Sequence, residues 1–200
     1  MSESLVASHP TVGPLLTERA QRAKLLEAMV QVVAEKGYAA ATVADAVRVA
    51  KVSRGTFYEL FESKQACLME AYRLGIEVLE QRVADAVVDA ASGDEEIRLG
   101  LRAYLHALTG EQPFARIHLL EWDALGPDKE AAIARFAGRY GKSFKNGGRP
   151  VPPDDALFVL SAGIDQLVRA RLRAGKDVTD LEDTLVGCAL RLATKEEPWT

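Results

Sequence analysis

Thr42, Ser53 and Ser63 each stand immediately before a helical pattern, so three candidate N-caps fall within one short stretch. A helix N-terminus presents unpaired N–H groups and partial positive charge, which suit an anion such as phosphate. Arg48, Lys51, Arg54 and Lys64 are interleaved with these caps, together with Gly55, Thr56 and Tyr58. Residues 17–64 hold eight Lys or Arg and six Asp or Glu, while the whole chain carries a net charge of −4. Any cationic surface is therefore local. Arg48, Lys51 and Arg54 also fit an ordinary solvated helix face.

A second set of residues suits apolar binding. Tyr104, Phe114, Trp122, Phe136, Tyr140 and Phe144 lie within residues 97–144, with His118 and Glu121 as polar groups among them. Small-molecule pockets are typically aromatic-lined with a few polar anchors; the same rings would equally fill a core. Other patterns carry less. Gly141-Lys142-Ser143 ends like a phosphate-binding loop, but Phe136 stands where that motif needs glycine, and the stretch is helical. His118 and Glu121 have the reverse order of a di-iron pair and occur once. Cys67 and Cys188 have no metal-type spacing and read as small apolar fillers on helices. No metal and no cofactor is expected.

The elements that must position these residues are helices almost throughout. Leu26, Met29, Val30 and Val33 make one helical stripe, with Thr17 as its expected cap and Gly37 as its stop. Val43, Ala46, Val47 and Ala50 make a short second helix, with a capping-box arrangement of Thr42 and Asp45. Only Lys51 and Val52 separate it from Ser53 and a third short helix, on which Phe57 and Phe61 read as core. From Ser63 the periodicity predicts one helix of more than 25 residues ending at Ser92-Gly93. Five further segments follow, over about 97–108, 113–125, 128–146, 154–174 and 178–193. On the last, Leu181, Leu185, Cys188 and Leu192 share a face, with Val186, Ala189 and Ala193 extending the apolar surface. The expected fold is all-α with about nine helices.

At 200 residues, 48% hydrophobic and 27% charged, the chain can bury a core without staples. No window of about 18 apolar residues lacks charge, so no membrane span is expected. The first residues have neither a basic region nor a long apolar run, so no signal peptide is expected, and a cytoplasmic location is.

Two short helices joined by a tight turn suit a reading head for the DNA major groove, though ordinary bundles contain such pairs too. The residue choices go further. The stretch TVADAVRVAKVSRGTFYELFESKQACLMEAY resembles the tetracycline-repressor (TetR) family of bacterial regulators, over roughly residues 19–79. Its most specific part is Gly55-Thr56-Phe57-Tyr58, followed at the family spacing by Phe61 and Lys64.

The resemblance implies a flexible tail over 1–18, a three-helix helix-turn-helix DNA-binding domain over 19–79, and a helical ligand-sensing and dimerisation domain over 80–200. It implies that Thr42, Arg48, Ser53, Arg54, Gly55, Thr56, Tyr58 and Lys64 contact duplex DNA. Thr42, Tyr58 and Lys64 would take phosphates, and Arg54 and Thr56 would reach base edges or adjacent phosphate. It further implies a homodimer through residues 154–193, a near-palindromic operator, and release of a repressor by an unknown small molecule. The competing class is a helical-bundle enzyme or carrier whose helix-turn-helix is incidental.

Overall fold

The computed structural model describes the chain from Val12 to Leu192, with side chains from Thr17 on except those of Trp122 and Asp123. Ten α-helical segments and one 3-10 turn make up the described residues, with no strand among them. They are α1 (Val12–Lys36), α2 (Val43–Ala50), α3 (Arg54–Leu60), α4 (Lys64–Ala86), α5 (Gly93–Gly110), α6 (Gln112–Leu120), α7 (Trp122–Leu125), α8 (Pro127–Asn146), α9 (Asp154–Arg173) and α10 (Glu182–Leu192). The turn, Thr179–Leu181, leads into α10.

The first four helices follow from local chemistry. α1 stops at Gly37, whose φ of +79° closes the helix through its N–H to Val33. Thr42 caps α2 in a reciprocal box with Asp45, and Ser53 and Ser63 cap α3 and α4 through the N–H groups of Thr56 and Ala66. Phe57 and Phe61 are buried, as their spacing predicts, and they pack with Leu25, Met29 and Leu68. Arg22 of α1 ties this unit together. Its guanidinium donates to both Glu70 oxygens at 2.7 and 2.6 Å and to the Leu60 carbonyl at 3.1 Å, and it lies over the Phe61 ring.

Several boundaries differ from the sequence reading. α1 begins at Val12 and not at Thr17, so 12–18 are helical; the remainder of the expected tail lies outside the described residues. Pro14 is tolerated there because first-turn N–H groups have no intrahelical partner. α4 ends at Ala86 after 23 residues, shorter than predicted, because Ser92 caps α5 instead. Gly93, which follows, is needed for close approach: a Cβ there would lie 2.0 Å from the Ser143 carbonyl oxygen. The predicted helix 113–125 breaks at Glu121 into α6 and the single turn α7.

α8 packs along α9, α5 packs against α4, α8 and α10, and α6 bridges α1 and α9. One apolar core runs from Leu25 to Ala189 through both halves of the chain. The expected domain boundary after residue 79 falls inside α4, so a single helix joins the head to the larger bundle. Leu181 of the 3-10 turn and Leu185, Val186 and Ala189 of α10 are buried in the chain's own core, whereas Cys188 is exposed. Cys188 therefore does not belong to the buried stripe and is no core filler, unlike Cys67, which is wholly buried. Ala193 lies outside the described residues.

Candidate nucleic-acid interface and effector cavity

α2, the turn at Lys51-Val52 and α3 present one polar face. Thr42, Arg48, Lys51, Ser53, Arg54, Gly55 and Tyr58 are all exposed on it, and Thr56 is half-buried. The fold thus brings the sequence-predicted DNA residues together, but several are already engaged. Thr42 Oγ1 accepts from the Asp45 N–H at 3.1 Å and donates to Asp45 Oδ2 at 2.7 Å. The Asp45 carboxylate also takes Lys36 at 2.7 Å and Arg48 at 3.3 Å. The Lys36 ammonium foremost, then the Thr42 hydroxyl and Arg48, hold that carboxyl well below the usual range. Ser53 Oγ accepts from the Thr56 N–H at 2.9 Å. The Arg54 guanidinium lies 5.6 Å from the Tyr58 ring centroid, within cation–π range. Tyr58 turns outward while its neighbour Phe57 is fully buried, as 100° per residue requires.

Lys64 is already engaged within the head. Its ammonium is half-buried and donates to the carbonyls of Tyr38 and Ala41 at 2.7 and 2.8 Å, 4.0 Å above the Tyr38 ring. It clamps the α1–α2 connection, with one of its three donors left over. Lys51 was not among the predicted contact residues, yet it occupies the tightest point of the head. It has φ +56°, the one positive φ at a non-glycine position among the described residues.

A cavity of about 300 Å³ lies in the larger bundle between α4, α5, α8 and α9, with His118 of α6 on its wall. Of the predicted pocket residues, Tyr104, His118, Phe136 and Tyr140 line it. The others do not. Phe144 is fully buried in the core. Phe114 lines a separate groove of about 440 Å³ between α1, α4, α5 and α6. Glu121 ends α6 beside Gly37, at the junction with the head. The Trp122 side chain lies outside the described residues.

Sequence reasoning found His118 but missed Asp165 on this wall and Lys129 behind it. Lys129 is completely buried, and its ammonium donates to Asp165 Oδ1 at 2.5 Å. His118 Nε2 stands 3.3 Å from the same oxygen, and His118 Nδ1 is 3.2 Å from the Tyr72 hydroxyl. The Lys129 ammonium also stands 3.2 and 3.1 Å from Nδ1 and Nε2, a cationic neighbour that suits a neutral imidazole. Burial pushes the His118 imidazole down to about 4, and the Lys129 charge adds to that. Burial also lowers Lys129, to about 8, against the pull of Asp165. For Asp165, burial acts upward, but His118 and Lys129 outweigh it and hold the carboxyl below its ordinary value. A signal was present: Lys129 lies four residues before Ile133 and Asp165 four after Ser161, both in register with buried stripes. On the outer part of the wall are the exposed Lys142 and Asn146 and the half-buried Arg139.

The sequence profile of the bacterial regulatory proteins of the tetR family matches residues 25–71, which span the head from α1 into α4. Over residues 25–71 the chain is thus similar to the DNA-binding head of the tetR family. The chain is also 25% identical over 104 residues to the fatty acid metabolism regulator protein of Bacillus subtilis (strain 168). That stretch is 52% of this chain and 54% of the relative, so the match spans about half the relative's length. Among solved structures, the fold is similar to the fatty acid degradation regulator FadR from Bacillus halodurans, with a TM-score of 0.75 at 18% identity, covering 85% of this chain and 94% of that one. It is also similar to the transcriptional regulator FadR from Bacillus subtilis in complex with stearoyl-CoA, with a TM-score of 0.73 at 16% identity, covering 86% and 99%. Within the matched segment α2 packs against α3, and the N-terminal residues Ser53, Arg54 and Gly55 are exposed.

Proposed function

We propose that this chain is a ligand-responsive, DNA-binding transcriptional regulator that works as a homodimer and acts as a repressor released by a small amphipathic molecule. The observation that carries the reading is the head: three capped helix N-termini and the exposed Arg48, Arg54 and Tyr58 on one face, in a segment that matches the tetR profile. Phosphates would meet the helix N-termini and Tyr58, and Arg54 would reach base edges.

The cavity supports an effector with an apolar body and an anionic end. Its wall is mainly apolar, and Arg139 and Lys142 stand on its outer part. A relative of similar fold binds stearoyl-CoA, which has that general chemistry. α4 supplies the link. It carries Lys64 at its N-terminus and Val83 on the cavity wall, about 28 Å further along at 1.5 Å per residue. An effector that favours one tilt of α4 changes the separation of two heads in a dimer, and the coupling must be reciprocal.

The test is fluorescence anisotropy with labelled duplex from upstream of the protein's own gene, over a salt series and with added acyl-CoA. Binding should fall steeply with salt, and Arg54→Ala with Tyr58→Ala should abolish it while leaving the helical content intact. Undiminished binding by that double variant would overturn the mapping of the DNA face, and an acyl-CoA that binds without changing DNA affinity would overturn the effector mechanism.

A further inference from the structure

Asp165 stands on the cavity wall and is only 5% exposed. Its Oδ1 is shared by Lys129 and His118, but its Oδ2 is buried with no hydrogen-bond partner. A buried acceptor without a donor is costly and rare in folded proteins, so such an atom beside a cavity points to what the cavity receives. Resting on the reading of this cavity as the effector site, we propose that the effector carries a hydroxyl at its inner end, which donates to Asp165 Oδ2.

Three observations narrow the chemistry. The missing group must be a donor, which excludes a bare alkyl terminus, a carbonyl and a carboxylate. It should be neutral, because Lys129 already supplies the cation that Asp165 needs, and a second ammonium would face it across a few ångströms. The tyrosine hydroxyls of Tyr104 and Tyr140 on the same wall are held in their neutral form by burial. Size sets the length. At roughly 30 Å³ per water-sized group, about 300 Å³ holds about ten non-hydrogen atoms, well short of a stearoyl chain's eighteen carbons. With Arg139 and Lys142 on the outer wall, the class is a medium-length chain with an anionic head and a hydroxyl at the far end.

The test uses a matched pair, decanoate and 10-hydroxydecanoate, titrated calorimetrically into the full chain. The hydroxylated chain should bind about tenfold more tightly, the size of one hydrogen bond to a charged group. In the double variant Lys129→Met, Asp165→Leu, which removes both buried charges and keeps the volume, the preference should reverse. Decanoate binding as tightly as its hydroxylated partner in the wild-type chain would overturn the proposal, since a trapped water would then serve Oδ2. Failure of both to bind would overturn it as well. The underlying reading is checked separately with Gly100→Leu. Gly100 lies on the wall, where a Cβ meets Val83 only at 3.5 Å, and a longer side chain would grow into the cavity. Loss of both ligands in that variant places them in the cavity. Undiminished binding there would show that the cavity is not the effector site.

Discussion

The Phe114 ring of α6 sits against Gly75 of α4, so closely that a Cβ at position 75 would stand 2.2 Å from the ring. The same ring stacks on His118, with centroids 5.8 Å apart and planes at 11°. Beside Val83 on the wall and the Tyr72 hydroxyl at His118, this ring is a further contact between α4 and the cavity, and it fits only because residue 75 has no side chain. Gly75→Ala should destabilise the chain by about 1–3 kcal/mol through overpacking, despite alanine's better helix propensity. In the Gly75→Ala background, Phe114→Ala should cost less than in the wild type. A urea-denaturation double-mutant cycle measures this, with a coupling of at least about 0.5 kcal/mol expected. Additive costs would show that the ring moves aside freely.

The wild-type role of Lys64 can be separated from that of Tyr58. Lys64 satisfies two carbonyls, whereas Tyr58 is 48% exposed and meets Arg54 and Phe57 of its own helix. Lys64→Ala should therefore lower stability by about 1–3 kcal/mol and weaken DNA binding at the same time. Tyr58→Phe should weaken DNA binding with the melting temperature unchanged. Equal melting temperatures for both variants would remove the clamp from Lys64 and restore a purely electrostatic role.

These two residues also mark what the sequence could and could not reveal. Caps are local, so Thr42, Ser53 and Ser63 were readable to the residue. The destination of a long side chain is not local: Lys64 reaches carbonyls 23 and 26 positions away. The cavity was half legible for the same reason. Aromatic composition selects Tyr104 and Tyr140 on the wall together with Phe144, which the fold buries elsewhere. The Lys129–Asp165 pair joins helices 36 positions apart, so only the fold brings it together. α4's end was misread because Ala90 continues an apolar period that the Ser92 cap interrupts.

Lys51 holds a left-handed conformation, φ +56° and ψ +44°, at the C-cap of α2, where glycine carries no steric cost. Lys51→Gly should stabilise the head by about 0.5–1 kcal/mol, the relief of strain exceeding the added freedom of the unfolded chain. If the lysine stands there for its charge, the same variant should bind DNA more weakly, with a salt slope reduced by about one. A destabilised Lys51→Gly chain would show that the side chain makes packing contacts that outweigh the strain.

The buried imidazole predicts a pH response of definite sign. His118 has a folded-state value of about 4 against an ordinary 6.5. Between those values the unfolded chain takes up a proton that the folded chain refuses, so stability falls as pH drops from 6.5 toward 4. The full loss is about 3 kcal/mol for a gap of this size. The ordinary and shifted ranges of Lys129, at and above about 8, and of Asp165, at and below 3.8, lie outside this window. Denaturation midpoints at pH 7, 6, 5 and 4.5 should decline in the wild type and decline less in His118→Gln. An equal slope in both would assign the loss to other groups.

For the proposed homodimer, α9 is the part of the last two helices with the exposed apolar surface. Leu185 is only 2% exposed and faces α5's side of its own chain, so Leu185→Arg would unfold the bundle and report nothing about a partner. The apolar surplus is on α9, where Val159 is 68% exposed and Phe158 and Leu167 are each 39% exposed. Gly163, between them, has open space where a Cβ would be, which lets another helix approach closely. Solvent-facing rows of this kind mark association sites, and a two-fold pairing would set α9 against its own copy. Val159→Arg with Leu167→Glu should therefore yield a folded monomer in sedimentation velocity at micromolar concentration, with the melting profile of the bundle retained. DNA affinity should fall in the same variant, because one head alone engages one half-site. A dimer that survives both charges would move the interface off α9.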